Sequence, residues 1–430
     1  FIMKNKRSII LLILSLIAVG IFAVAASGVK IDFIENYGTN FRKNVKGLEE
    51  MFSWKFPEPI ENFLNQTPRP LTTEEKLAIL EKQQAEESGE TAAPQESSLP
   101  TATPQTAGTV TSNIVAQKNA YTAGYAAYDG KVLCAAETAL SCYRKDGTLE
   151  WSKEIQANQP ILRTAKDYIL VAERGGTHFY LFSGKKMLYE QTTDAPIVSA
   201  SVSEHGDTVL IAEKDHYRGT VTVYNKKSKE VFRWNSGSYA ILDADISPSS
   251  RTLAVSLLET ENSVNTKISF FHLTEAESYA SVSFEDTILF DIKFAGEQLT
   301  AVGDNQIMSL NTKGETGWQT SFDGKTLNRY ILETDGHKLC VLDHDNAAEL
   351  LVLNNRGGER TTLSAKTLPD FVDLSSGYLA YNDGREIIYT SFSGKDVKRY
   401  LCSRDLKGLL LIAPDELMAV YSSGLEFIKF

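Results

Sequence analysis

KVLCAAE at 131–137, DYILVAE at 167–173, DTVLIAE at 207–213, RTLAVSL at 251–257, EQLTAVGD at 297–304, HKLCVLD at 337–343, GYLAYND at 377–383 and DELMAVY at 415–421 are eight versions of one strand. All but GYLAYND open on a polar residue, and the copies are short apolar runs of the kind that reads as a β-strand. The strand that follows each copy ends in a turn, which carries Gly147, Gly184, Lys227, Glu275, Gly314, Gly357 and Gly394 in the first seven. From Gly147 to Gly394, 247 residues span six intervals, about 41 residues each. About four strands in such a period make one blade of a β-propeller.

Working outward from the repeat, the units fall at 121–157, 158–194, 195–238, 239–285, 286–324, 325–367 and 368–404. The remainder, 405–430, supplies only three strands: LKGLLLIA, DELMAVY and GLEFIKF. The stretch NIVAQKNA at 113–120 precedes the first unit and is expected to complete the last blade from the opposite end of the chain, which removes the free edges. The expectation for 113–430 is an all-β propeller of eight four-stranded blades closed by an N-terminal strand. Seven blades is the alternative, if one short unit is half a blade.

The first hundred residues read differently. Residues 9–26 (IILLILSLIAVGIFAVAA) are free of charge and follow Lys4, Lys6 and Arg7, with Met3 as the expected start. They are long enough to span a bilayer, and the basic flank places the N-terminus, 1–8, in the cytoplasm and everything after the helix (9–27) outside. A cleaved signal peptide is the competing reading, since Ala23-Val24-Ala25 fits a cleavage site. Within 28–64, Ile34, Tyr37, Phe41, Val45, Leu48 and Phe52 recur at helical spacing and form one apolar stripe, expected to pack on the protein's own globular part, lie on lipid or pair with another membrane protein. Residues 65–112, rich in Thr, Pro, Glu, Gln and Ser, bury too little apolar surface to fold and read as a tether.

Composition narrows the function. The 430 residues carry a formal net charge of −11, which offers no attraction to nucleic acid. Four cysteines, Cys134, Cys142, Cys340 and Cys402, are too few and scattered for a disulfide scaffold or a zinc site. A three-residue turn at 137–139 would set Cys134 opposite Cys142, so a structural disulfide is open there. The six histidines lack metal-site spacing, and the one cluster that stands out is His205 and His216 with Glu213 and Asp215. No metal, cofactor or catalytic nucleophile is expected, and no nucleophile elbow, metalloprotease helix motif or phosphate loop occurs. Acids end the repeated strand at Glu137, Glu173, Glu213, Asp304, Asp343 and Asp383, and blade topology sends them to the face that carries the blade-to-blade connections. Turn propensity explains them equally well; the functional reading is an acidic surface for a basic partner segment or a divalent cation. Tyr239 and Tyr330 are the loop aromatics that would favour a ligand at the central mouth.

Gly147-Thr-Leu-Glu-Trp151 and Gly314-Glu-Thr-Gly-Trp318 share the spacing G-x-x-x-W, and 309–314 (SLNTKG) resembles the A-x-D-x-x-T-G stem of quinoprotein-like propeller repeats; Gly357 stands in the same register, with Thr361 at the tryptophan position. With its N-terminal anchor, the chain resembles an uncharacterised family of membrane-anchored propellers of Gram-positive, clostridia-like bacteria. The resemblance implies eight blades and a scaffold role, as in the propeller lipoprotein of the outer-membrane assembly machine. It does not imply the quinone, because only the structural docking motif matches. The expected function is a non-enzymatic protein-interaction scaffold of the envelope. It would be held in the cell membrane by one helix and partnered by an envelope or membrane protein; the alternative is a ligand- or glycan-binding sensor.

Overall fold

The computed structural model describes residues 110–430 except 118, 260–263, 334–335, 345–346 and 358–359. The expected membrane helix, the stripe from Ile34 to Phe52 and most of the tether lie outside the described residues. The described chain forms eight antiparallel sheets of four strands each. Seven are meanders of consecutive strands: blade 1 (124–154), blade 2 (160–192), blade 3 (197–236), blade 4 (240–284), blade 5 (289–321), blade 6 (326–365) and blade 7 (372–401). Blade 8 takes three strands from 408–429 and its outermost from Thr111–Ala116. The ring therefore has eight blades, not seven.

The repeated run is the second strand of every blade, and its lack of polar alternation has a direct cause. Neighbouring blades cover it on both faces, so Thr208–Ala212 and Glu416–Tyr421 are buried at every position. Outermost strands such as Ser278–Phe284 alternate between a side turned inward and a side turned to water. One apolar cluster sits at each of the eight seams: Val302, Phe322, Cys340 and Leu351 belong to that between blades 5 and 6, and Ala120, Val132, Val420 and Phe427 to that between blades 8 and 1. Burying one such side chain contributes about 2 kcal/mol, so the disk is held by a ring of small cores rather than by one centre.

Closure differs in register from the expectation of 113–120. The pairing runs from Thr111 opposite Lys429 to Ala116 opposite Gly424, and Gln117 N–H donates to the Ser423 carbonyl at 3.1 Å. The strand stops there because Asn119 adopts a left-handed φ of 52°, and Ala120–Thr122 forms a 3-10 turn that buries Ala120 in the seam between blades 8 and 1.

The glycine and tryptophan motif residues stitch blades together. Gly357 (φ 66°), on the third-to-outer turn of blade 6, lies flat against the Trp318 indole of blade 5, where a Cβ would overlap the ring. The Lys338 ammonium stands 5.0 Å from that ring's centre. Gly147 (φ 84°) docks blade 1 onto blade 8, where a Cβ would come within 2.9 Å of Phe427 and 3.0 Å of Val115. Gly314 approaches Val282 and Phe270 of blade 4, and Trp151 packs into the seam between blades 1 and 2 with Tyr180 and Phe182.

The Cys134–Cys142 disulfide does not form. The turn between their strands is one residue tighter than expected, with Ala136 N–H donating to the Ala139 carbonyl, so Cys134 faces Ser141 and Cys142 faces Leu133. A one-residue slip sends a side chain to the opposite face of a sheet. All four cysteines are free and buried.

Candidate functional site

Strand direction gives the disk two unlike faces. First-to-second and third-to-outer turns lie on one, the turn face; second-to-third turns and blade connectors lie on the other, the connector face. Thr111 enters at the turn face, since it pairs with Lys429, which pairs in turn with Glu416 beside the first turn of blade 8.

The six strand-ending acids stand on the connector face, and the fold uses several of them. Glu173 accepts from the Asn158 side chain at 2.7 Å and lies 3.5 Å from His178 Nδ1. Asp304 accepts from Ile288 N–H at 3.0 Å, and burial pushes its carboxyl above the ordinary value. Asp383 accepts from the Thr367 hydroxyl at 2.8 Å. Each of these donors belongs to the connector that leads into the same blade. Glu137 and Asp343 are exposed, and Glu213 is half-buried. Tyr121 and Tyr217, 53% and 47% exposed, share this face. His205 and His216 fall at opposite ends of the second strand of blade 3 (Thr208–Ala212) and so on opposite faces; His205 Nδ1 is 2.6 Å from the Pro248 carbonyl. Among the described residues no group of three or more metal-ligating side chains comes together.

The more elaborate site is one that the motifs did not single out. A central cavity of about 750 Å³ opens at the turn face, lined by the innermost strands of blades 1 to 6. In blades 3 to 6 the pairing of innermost and second strands is broken by a bulge immediately before Ser199, Asp243, Asp291 and Arg329, and all four line the cavity. An extra residue re-aims the strand. Here it turns polar side chains inward from otherwise apolar runs.

These acids solve a problem that the topology creates. The inner edge of each innermost strand has no sheet neighbour, and its N–H groups need acceptors. Asp243 accepts from Ile292 N–H at 3.1 Å, Asp245 from Phe294 N–H at 2.8 Å, and Asp373 of blade 7 from Leu411 N–H at 2.6 Å, each reaching into the next blade. Asp291 takes a 2.7 Å bond from the Tyr330 hydroxyl. Burial pushes Asp245 up to about 6 and Asp373 up to about 7. Asp243 rises well above the carboxylate range through burial and the neighbouring Asp291. Tyr330 is thus a channel residue on a strand, not a loop aromatic, and its hydroxyl is also raised by burial and by Asp291. Tyr239 lies in a connector, half-buried, with Lys267 5.6 Å from its ring centre.

Basic groups share the channel: Arg163 and Arg174 from blade 2, Lys293 from blade 5 and Arg329 from blade 6. Burial, and then the charge of Arg163, bring the Arg174 guanidinium down to about 10. The sequence signal for these residues was present but small: a charge inside an apolar run, as in LDADI (242–246), FDIKF (290–294) and FVDLS (371–375).

The model of a family of unknown function, DUF5711, matches residues 105–430, a stretch that contains every blade and the closing strand. The chain belongs to that family. No curated protein matches it. Among solved structures it is similar to the computationally designed Ika8 protein, at 10% identity over 73% of this chain and 98% of that one, TM-score 0.56. It is also similar to the β-propeller domain of Cps50 (Swd1) from Myceliophteria thermophila, at 9% identity over 73% and 98%, TM-score 0.44. At such identities the likeness concerns the fold alone. Among the described residues no helix is long and apolar enough to cross a membrane.

Proposed function

We propose that this DUF5711 protein is a non-enzymatic interaction scaffold of a Gram-positive envelope: a quinoprotein-like propeller outside the cell membrane, tethered by the apolar segment 9–27 and the linker 65–112. The observation that carries the reading is the connector face, which exposes Glu137 and Asp343 and, from other blades and connectors of the same face, Tyr121 and Tyr217. Tyrosine anchors within a charged rim are what protein interfaces use. Position supports it as well. The tether meets the propeller at the turn face, which leaves the connector face directed away from it, and a tether raises the effective concentration of that face for neighbours in the same membrane. The complementary partner is an envelope or membrane protein that presents a basic segment.

The test is mild crosslinking of the full chain in its own membranes, beside a Glu137→Lys/Asp343→Lys double variant. Loss of a defined crosslinked partner in the variant, with unchanged thermal unfolding, is the expected result. An identical crosslinking pattern in both proteins counts against the connector face.

A further inference from the structure

The two faces of the disk differ in charge, and the difference is sharpest on blades 2 and 3. On the turn face, the third-to-outer turn of blade 2 reads Gly184-Lys185-Lys186 and that of blade 3 reads Asn225-Lys226-Lys227-Ser228-Lys229. All five lysines are exposed, and none forms an ion pair among the described residues. The Asn225 side-chain oxygen accepts from Lys227 N–H at 3.0 Å and from Lys229 N–H at 3.1 Å, which fixes the backbone of the second turn and leaves its long side chains to solvent. Gln191, near the end of the outermost strand that begins at Lys186, donates to the Ser228 hydroxyl at 2.7 Å. That bond seats the turn of blade 3 on blade 2, so the two lysine-bearing turns are neighbours on one edge of the face.

Counting the carboxylates leaves an excess of positive charge. Four stand in or beside the turns of these two blades on this face: Glu204 is paired with Lys166 and Glu230 with Arg233, which leaves exposed Asp167 and half-buried Asp207 against five lysines. The sector is bounded. In blade 1, Glu150 engages Lys131 and Arg144 and buried Glu416 engages Lys145, and in blade 4 the corresponding turn carries Glu275 and Glu277. The formal net charge of −11 therefore conceals a basic patch, on the face where Thr111 brings in the tether.

We propose that this lysine sector docks the propeller on anionic phospholipid headgroups. The inference rests on the reading of a propeller tethered to a membrane. Lysines meet such a surface as hydrated point charges that need no shaped pocket, and their attraction adds over those that come within a Debye length, about 8 Å at physiological salt. A tether that enters on the same face keeps the sector close to that surface. Docking lays the turn face on the bilayer and leaves the connector face, with its exposed acids, open to a partner.

The full chain is reconstituted into lipid nanodiscs of phosphatidylcholine alone or with roughly one-third phosphatidylglycerol, and acylation of each lysine by a soluble amine reagent is followed by mass spectrometry. Lys185, Lys186, Lys226, Lys227 and Lys229 should react about threefold or more slowly on the anionic nanodiscs, and salt at about 0.5 M should abolish the difference. Lys366 and Lys407, exposed in connectors of the opposite face, should react equally on both. Lys226→Gln/Lys227→Gln/Lys229→Gln, at exposed positions, should keep the parent's thermal unfolding and lose the protection at Lys185 and Lys186. A chain that does not enter the nanodiscs refutes the membrane anchor; the same comparison is then made with vesicles of the two compositions, where the expectation for the five lysines is unchanged. Equal reactivity with both lipids, or protection of Lys185 and Lys186 undiminished in the triple variant, overturns the proposal. So does equally slow reaction of the five in detergent without lipid, which assigns the sector to the Glu-rich stretch 74–96 of the same chain.

Discussion

Two sets of carboxylates hold this propeller together, and they do so over different distances. On the connector face, Glu173, Asp304 and Asp383 bind donors 15 or 16 residues earlier in the chain, each tying a second strand to the connector of its own blade. On the innermost strands, Asp243, Asp245 and Asp373 bind backbone N–H groups 49, 49 and 38 residues later, each tying one blade to the next. The first set is a local turn device, although burial raises the carboxyl of Asp304 there too. The second caps the inner strand edges of a ring, and the carboxyls go deep enough to be desolvated. One chemical group therefore closes a turn in one place and spans a blade boundary in the other, and the cost of charging it differs accordingly.

The largest effect expected from this contrast is a pH dependence that belongs to the innermost-strand set. Asp373 sits at about 7 in the folded protein, against about 3.9 in an unfolded chain. Between those values the folded state binds more protons than the unfolded state, so the contribution to stability falls as pH rises from about 4 to 7 and stays low above that. Asp373→Asn keeps an acceptor for Leu411 N–H and removes the ionisation. It should stabilise the protein at pH 8 by about 2 kcal/mol, a figure discounted for the partial exposure of the residue, and leave it little changed at pH 4. Denaturant unfolding of parent and variant at the two pH values measures this, and equal differences at both would show that Asp373 does not carry the linkage.

The contrast also explains what could be read from the chain. Blade number and strand order were legible because the second strands repeat an apolar run that only burial on both faces requires, and because Gly147, Gly314 and Gly357 mark turns that dock on a neighbour. The strand-ending acids were legible for the same reason, since each ends a repeated unit. Asp243, Asp291 and Arg329 were not, because their inward aim comes from bulges in the pairing with the second strand, and a bulge leaves no periodic mark. The disulfide expectation failed on a single residue of turn length at 137–139, the scale at which strand register escapes sequence reading. The closing strand was found but set two residues late, because its sparsely buried side chains carry little apolar pattern.

A smaller effect is expected from the local set. Asp304→Ala removes the acceptor of Ile288 N–H and should destabilise by about 1 kcal/mol, the usual net worth of one such bond. Asp304→Asn, which retains an oxygen, should recover most of that loss. If the alanine and asparagine variants unfold alike, the Asp304 bond is not what holds this connector.

The smallest effect should come from the two acids that the fold leaves exposed. Glu137 lies in the turn after the second strand of blade 1, and its backbone carbonyl, not its side chain, accepts from Ala157 N–H at 2.9 Å. Asp343 is likewise exposed at the end of the second strand of blade 6. Glu137→Gln and Asp343→Asn should each change stability by less than about 0.5 kcal/mol, as substitutions at exposed positions without a structural partner do. The same thermal unfolding that registers Asp304→Ala should therefore miss both. A larger loss in either would place it among the connector latches; near-neutral results leave those two charges without a folding role, which is the condition under which a charged face is available to a partner.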